Sequence, residues 1–181
     1  MLDKDKYDVT KSKPLRLRYA KSMNFILANT SHSETILDIG AENPFSKLLS
    51  EKGFKVINTE GKDLDLNPEQ VAVEADLAIA LEILEHLVNP FSVLKTLKAK
   101  RLIASVPLNL WFAKAYRHST NEWDRHYHEF EQWQFDWLLN KAGWKIVRRE
   151  KWISPVYQIG WRPLLRFFVP RYYIVEAVKA D

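Results

Sequence analysis

The sequence predicts an α/β chain: a Rossmann-like three-layer sandwich with a mostly parallel sheet and an antiparallel edge at its C-terminal end. Three observations carry that expectation. Short aliphatic runs alternate with helical stretches of about ten residues, the mark of right-handed strand–helix–strand crossovers. The runs read as buried strands, as a parallel sheet covered on both faces requires. The chain then closes on two strand-like runs separated by a proline-interrupted segment, which leaves them free to form an antiparallel edge.

The elements follow in order. Leu15, Tyr19, Met23, Ile26 and Leu27 recur at helical spacing in PLRLRYAKSMNFILANT, with Pro14 tolerated in the first turn. ETILDIG is a short strand ended by Gly40, and NPFSKLLSEKG is a helix capped by Asn43, opened by Pro44 and stopped by Gly53. FKVINTE is a second strand, and a third runs from about Asp76 to Leu81. GKDLDLNPEQVAVE between them is polar and has no clear period. NPFSVLKTLKAK repeats the Asn-Pro-Phe-Ser start of the earlier helix, a convergence of capping chemistry, and leads into the strand RLIASVP. After an aperiodic stretch, Phe130, Trp133, Trp137 and Leu138 mark one face of a helix that stops at Gly143. WKIVRREKWIS and YYIVEAVKA are the final strands, separated by the proline-interrupted basic segment PVYQIGWRPLLRFFVPR.

A chain of 181 residues is expected to form one domain over 1–181, with an N-terminal helical extension over about 1–33 and a substrate-side insertion over about 108–128. Cysteine is absent, which excludes disulfides and thiolate metal sites. The polar N-terminus has no signal-like apolar segment, so a cytoplasmic location is expected. The net charge of +4 suits an anionic ligand, nucleic acid or a membrane surface and selects none of them. All seven tryptophans lie beyond residue 110, so the C-terminal part is aromatic and basic.

In an α/β sheet of this kind, ligands bind outside the strand carboxyl ends, so Gly40, Glu60, Leu81 to Glu85 and Pro107 are expected along one rim. Dinucleotide folds use a glycine-rich turn there, where backbone and a helix N-terminus meet a pyrophosphate. Here Glu42 and Pro44 stand where further glycines belong. A carboxylate repels phosphate and proline removes a donor, so a diphosphate cofactor is disfavoured. A ligand carrying an ammonium and a sulfonium tolerates such a loop, and an acid after the second strand can accept from both hydroxyls of a ribose.

ILDIG with its following helix, the acid Glu60, LEILEHLVNPFSVLKTLK and RLIASVP, taken in that order, resemble the class I S-adenosylmethionine-dependent methyltransferases. The likeness is to the small bacterial branch with Glu-His-Leu after the fourth strand of the family pattern, and HEFEQWQFDWLLNKAGWKIV resembles that branch's late helix and strand. It covers roughly residues 34 to 150. The family's first motif, acid-x-Gly-x-Gly, is matched at Asp38 and Gly40, with Glu42 in place of the second glycine. The resemblance implies S-adenosylmethionine as cofactor. It places Asp38 and Gly40 at the methionine part, Glu60 at the ribose, Asp63 or Asp65 at the adenine amino group, and Leu81 and Glu82 beside the cofactor. Glu42 would accept from the cofactor's ammonium or serve the helix start through its charge. Glu85 and His86 are read as a structural pair tying a loop.

The acceptor is expected to be a small molecule. NEWDRHYHEF brings His126 and His128 forward as general base or substrate contacts, and Trp111, Trp123 and Tyr127 as walls of an acceptor pocket. No metal site is expected; Asp124, His126 and His128 find no further ligand at helical spacing to support one. The segment Trp161 to Arg171 suits a lid, a homodimer contact, or a surface meeting a membrane or nucleic acid, which leaves a nucleic-acid or membrane-surface binding protein as a further alternative. Nucleic acid is not the expected partner, because acids interleave with bases through most of the chain. A catalytically inactive binding or scaffold protein on the same fold is the rival reading, since Glu42 and Pro44 alter the cofactor loop.

Overall fold

The computed structural model describes residues 12–116, 118–155 and 158–180. Five α-helices and six strands follow in the order α1 (Lys13–Leu27), β1 (Thr35–Asp38), α2 (Pro44–Glu51), β2 (Lys55–Asn58), β3 (Leu77–Leu81), α3 (Pro90–Thr96), β4 (Arg101–Pro107), α4 (Gln132–Lys141), β5 (Trp144–Trp152), α5 (Trp161–Leu165) and β6 (Tyr172–Lys179). The strands form one six-stranded sheet in the order β2-β1-β3-β4-β6-β5. β2, β1, β3 and β4 run parallel, β6 pairs antiparallel with β4, and β5 pairs antiparallel with β6. The α/β expectation, with its antiparallel C-terminal edge, is therefore the architecture present.

Alternation along the strands sorts the core into two layers. Ile36, Leu77, Ile79, Ile103 and Ile174 meet Met23, Phe25 and Ile26 of α1 and Phe45 and Leu49 of α2 on one face. Leu37, Ala78, Ala80, Leu102, Ala104 and Val175 meet Val93 and Leu94 of α3 and Phe135 and Leu139 of α4 on the other. The alanines on this second face leave room for the bulky helix side chains, as close packing requires.

Both Asn-Pro-Phe-Ser segments cap helices. Asn43 accepts from the N–H of Phe45 and Ser46 at 2.9 and 3.1 Å, and Ser46 Oγ in turn accepts from Asn43 N–H at 2.9 Å. At the second copy, Asn89 accepts from Ser92 N–H at 3.3 Å. The ambiguous stretch before β3 forms no strand; it makes a short 3-10 turn at Pro68–Val71 and buries Leu64 and Val71.

One expected face is corrected. On α4 the buried core contacts come from Phe135 and Leu139, with Leu138 partly buried against the core and Phe130 buried just before the helix, whereas Trp133 and Trp137 are 49% and 68% exposed and stack edge-on 4.9 Å apart. Residues two apart on a helix point nearly opposite ways, so the tryptophan stripe and the Phe135–Leu139 stripe cannot both face the sheet. Trp133 Nε1 instead donates to Glu131 at 2.6 Å. Among the described residues no helix is long and apolar enough to cross a membrane.

Candidate cofactor and acceptor site

Beyond Asp38 the chain turns at Gly40 with φ +121°, a conformation that any side chain strains. Gly40 N–H donates to Thr59 Oγ1 at 2.9 Å, and its carbonyl accepts from Thr59 N–H at 3.1 Å, so the loop after β2 is clamped to the loop after β1. Gly61, at φ +75°, lets the two loops abut, since a Cβ there would lie 3.0 Å from Ala41 Cβ. This places Gly40 and Glu60 together at the carboxyl rim of the sheet.

Asp38 is buried beneath that rim and accepts from Asn43 Nδ2 at 3.0 Å and Asn58 Nδ2 at 3.3 Å. Burial pushes its carboxyl up to about 7, against the pull of the two amides. Asn43 thus serves twice, as cap of α2 and as partner of Asp38. Glu42 turns outward to Lys47 Nζ at 3.1 Å, both groups well exposed. Glu60 is exposed and pairs with Lys62 at 2.5 Å, an ion pair that lowers its carboxyl. Asp63 accepts from Asp65 N–H at 2.9 Å, and Asp65 accepts from Val88 and Asn89 N–H at 2.8 and 2.7 Å, tying its loop to the start of α3.

Leu81, half-buried, ends β3, and Glu82 follows with φ +56°, an uncommon conformation outside glycine. Glu82 accepts from Ser105 Oγ at 2.8 Å and pairs with Arg18 of α1 at 3.4 Å. Burial raises the Glu82 carboxyl, opposed by Arg18 and the Ser105 hydroxyl. Arg18, Asn43, Asn58 and Ser105 join the site through these contacts, beyond the residues the sequence points to. For Arg18 the available signal is its position three residues after Leu15, on the inward stripe of the helix.

Glu85 and His86 occupy a 3-10 turn at Leu84–His86. Glu85 is 1% exposed, its Oε2 has no hydrogen-bond partner among the described residues, and burial followed by the nearby Glu82 charge pushes its carboxyl well above the ordinary range. Its backbone carbonyl accepts from Tyr127 and His128 N–H at 2.8 and 3.2 Å. The pair ties a loop, Glu85 through its carbonyl and His86 through Nδ1 to Arg125 carbonyl at 3.0 Å. That tie brings His126 to 4.7 Å from His86, ring to ring, with Tyr116 4.5 Å away on another side. His128 lies apart from this group, with Nε2 at 3.2 Å from Val88 carbonyl and its ring stacked on Phe130. Asp124 accepts from Tyr116 Oη at 2.7 Å, so Asp124, His126 and His128 do not assemble as one ligand set.

A hollow of about 310 Å³ opens beside His126, lined by Tyr116, His118, Ser119, Arg125 and Tyr127. Tyr127 therefore faces it, whereas Trp111 and Trp123 are 76% and 67% exposed, Trp111 resting edge-on against Phe112.

The methyltransferase-domain family matches residues 13–149, from the first residue of α1 into β5. The chain belongs to that family. Among solved structures, this methyltransferase-domain chain is similar to the 1,6-didemethyltoxoflavin-N1-methyltransferase of Burkholderia thailandensis, solved with 1,6-didemethyltoxoflavin and S-adenosylhomocysteine. The TM-score is 0.62 at 20% identity, over 98% of this chain and 83% of that one. The magnesium protoporphyrin IX methyltransferase of Synechocystis PCC 6803, solved with S-adenosylhomocysteine, gives 0.61 at 16% identity, over 92% and 84%. A SAM-dependent methyltransferase from Archaeoglobus fulgidus gives 0.61 at 16% identity, over 91% and 94%. At these identities the likeness is one of fold. No curated protein matches the chain.

Proposed function

We propose that this methyltransferase-domain chain binds S-adenosylmethionine at the Gly40 rim and transfers the methyl group to a small-molecule acceptor that enters beside His126. The observation that carries the reading is the outward turn of Glu42 onto Lys47, which leaves the glycine turn uncovered by the side chain that replaces the family's second glycine. The rim's chemistry fits the cofactor. Asp38, Glu42 and Glu60 place three carboxyl groups at the rim, the two glutamates on exposed lysine partners that a cationic ligand can displace, a set that suits an ammonium and a sulfonium better than a diphosphate.

When bound, the cofactor supplies an electrophilic methyl group on a positively charged sulfur. Around it, Glu60 would accept from the ribose hydroxyls after releasing Lys62, an exposed partner that water can replace. Asp63 and Asp65 form the adenine side of the rim, the second with its oxygens committed to Val88 and Asn89. Leu81 and Glu82 close the site from the end of β3. On the acceptor side, Trp111, Trp123 and Tyr127 supply apolar walls and His126 or His128 takes a proton from an acceptor that needs deprotonation. Val88 carbonyl can only accept, so His128 Nε2 carries the hydrogen and Nδ1 keeps its lone pair.

Calorimetric titration with S-adenosylhomocysteine is the test. One site per chain is expected, and no heat at millimolar ligand would leave only the scaffold reading. A second measurement locates the site. Gly40→Ala should weaken that affinity about tenfold or more, because an alanine at φ +121° carries about 1–3 kcal/mol of backbone strain that the turn relieves by shifting off Thr59. An unchanged affinity in a folded Gly40→Ala protein would place the ligand elsewhere.

A further inference from the structure

We propose that Glu85, His86 and His126 form a binding site for one divalent transition-metal ion, with zinc or manganese as the ions suited to its donors. One ligand atom from each of the three residues lies within 4.8 Å of the others, and Glu85 Oε1 is 3.8 Å from His86 Nε2. Donors around a tetrahedral ion at about 2.1 Å sit roughly 3.4 Å apart, so side-chain adjustment of about 1 Å closes the set.

Two independent features point to a cation. The first is the Glu85 carboxyl, 1% exposed and with Oε2 lacking a hydrogen-bond partner among the described residues. A buried carboxyl oxygen left so is unfavourable, and a metal ion satisfies it directly. The second is the orientation of His86. Its Nδ1 meets Arg125 carbonyl at 3.0 Å, and since that oxygen can only accept, Nδ1 carries the hydrogen and Nε2 presents its lone pair toward Glu85. Holding a ligating imidazole by its far N–H to a backbone carbonyl is how proteins fix the tautomer at metal sites.

His126 completes the set from another segment, held beside the turn by the Tyr127 and His128 N–H bonds to Glu85 carbonyl. Its Nδ1 is 3.5 Å from the Glu129 carboxylate, which favours the imidazole's orientation and adds negative charge nearby. The cationic Arg18 and Arg171 act on Glu85 from the opposite direction and Glu82 adds negative charge, so the field is mixed. Two imidazoles and one carboxylate are a donor set for zinc or the neighbouring divalent ions rather than for calcium or magnesium. The hollow beside His126 gives an entry path and leaves room for water or an acceptor oxygen on the remaining positions. Metal binding does not require methyl transfer, but a metal-ligating His126 no longer takes a proton and leaves that role in the proposed function to His128.

The test uses the full chain stripped with a chelator and titrated calorimetrically with zinc chloride or manganese chloride, with no S-adenosyl ligand present. One ion per chain with micromolar or tighter affinity is expected, together with a rise in melting temperature. Glu85→Gln and His126→Gln should each weaken binding at least tenfold, while His32→Gln, whose ring stacks on Phe54 away from the cluster, should leave it unchanged. Substitution with cobalt(II) should give visible absorption that both cluster variants lose. Failure of the wild-type protein to bind either ion, or full binding by the folded cluster variants, overturns the site. S-adenosylhomocysteine titration of the same samples reads the cofactor separately.

Discussion

Replacing Glu176 by alanine is expected to lower the unfolding free energy by about 3–5 kcal/mol. Glu176 points from β6 into a nearly closed polar cluster and is 2% exposed. One oxygen accepts from Arg101 Nε and Nη2 at 3.0 and 2.7 Å, and the other from Arg148 Nε at 2.9 Å, with Asn29 Nδ2 within 3.4 Å of both. The register that makes this possible depends on an irregularity in β5 between Ile146 and Arg148, which sets Arg148 opposite Glu176. Arg148 is also held by Phe25 carbonyl at 2.6 Å and lies 3.7 Å over the Phe25 ring, and Arg101 reaches Glu34 at 2.6 Å and Asn29 carbonyl at 2.8 Å. A single carboxylate therefore ties β4, β5 and β6 to the end of α1. Alanine would leave two partly buried guanidinium groups facing each other across an empty space. Glutamine keeps an accepting oxygen and should lose less than alanine. Urea unfolding at neutral pH measures both, and a loss below about 1 kcal/mol for the alanine variant would show the cluster to be solvated and weak.

The parts of the fold that local chemistry determines are legible in the sequence. Asn43 and Asn89 cap α2 and α3, and Gly53 and Gly143 take positive φ just beyond α2 and α4. The strand runs hold because the sheet's two faces are both covered, so each run needs only to be apolar. The stretch before β3 was not legible: Leu64 and Val71 are core residues set in a polar turn, with no period to announce them. The α4 stripe was misread because tryptophan is the most apolar-looking residue in that window, while Phe135 and Leu139 occupy the face that meets the sheet.

The candidate site divides in the same way. The Gly40 rim could be read because a glycine ending a strand has a local backbone reason. The group of Glu85, His86 and His126 could not, because two backbone hydrogen bonds to Glu85 carbonyl bring its halves together across an aperiodic connection. Tertiary hydrogen bonds of that kind leave no pattern along the chain. The aromatic basic segment remains conspicuous in three dimensions, with Ile159, Trp161, Leu164 and Phe168 all exposed.

Asp38→Asn is expected to move stability in opposite directions at the two ends of the pH scale relative to the wild-type protein. The Asp38 carboxyl rises from 3.8 to about 7 on folding, and the cause is burial, opposed only by the amides of Asn43 and Asn58. The folded chain therefore holds this proton more tightly than the unfolded chain between those values. Stability from the neutral carboxyl is fully present below about pH 4 and is lost as pH rises through about 7, a change of about 3–4 kcal/mol. Asparagine cannot ionise, so the variant's unfolding free energy relative to wild type should climb by that amount between pH 4 and 8. Parallel urea unfolding of the two proteins across that range isolates the Asp38 contribution from the other carboxyl groups, and a pH-independent difference would refute the buried-carboxyl account. The opposite effect is expected on the ligand. A cationic cofactor at the rim favours the ionised carboxylate, so binding should release a proton near neutral pH and tighten as pH rises from 6 to 8 in the wild type but not in Asp38→Asn. A substitution that stabilises the fold at pH 8 while weakening cofactor binding would mark Asp38 as a residue kept for function at the expense of stability.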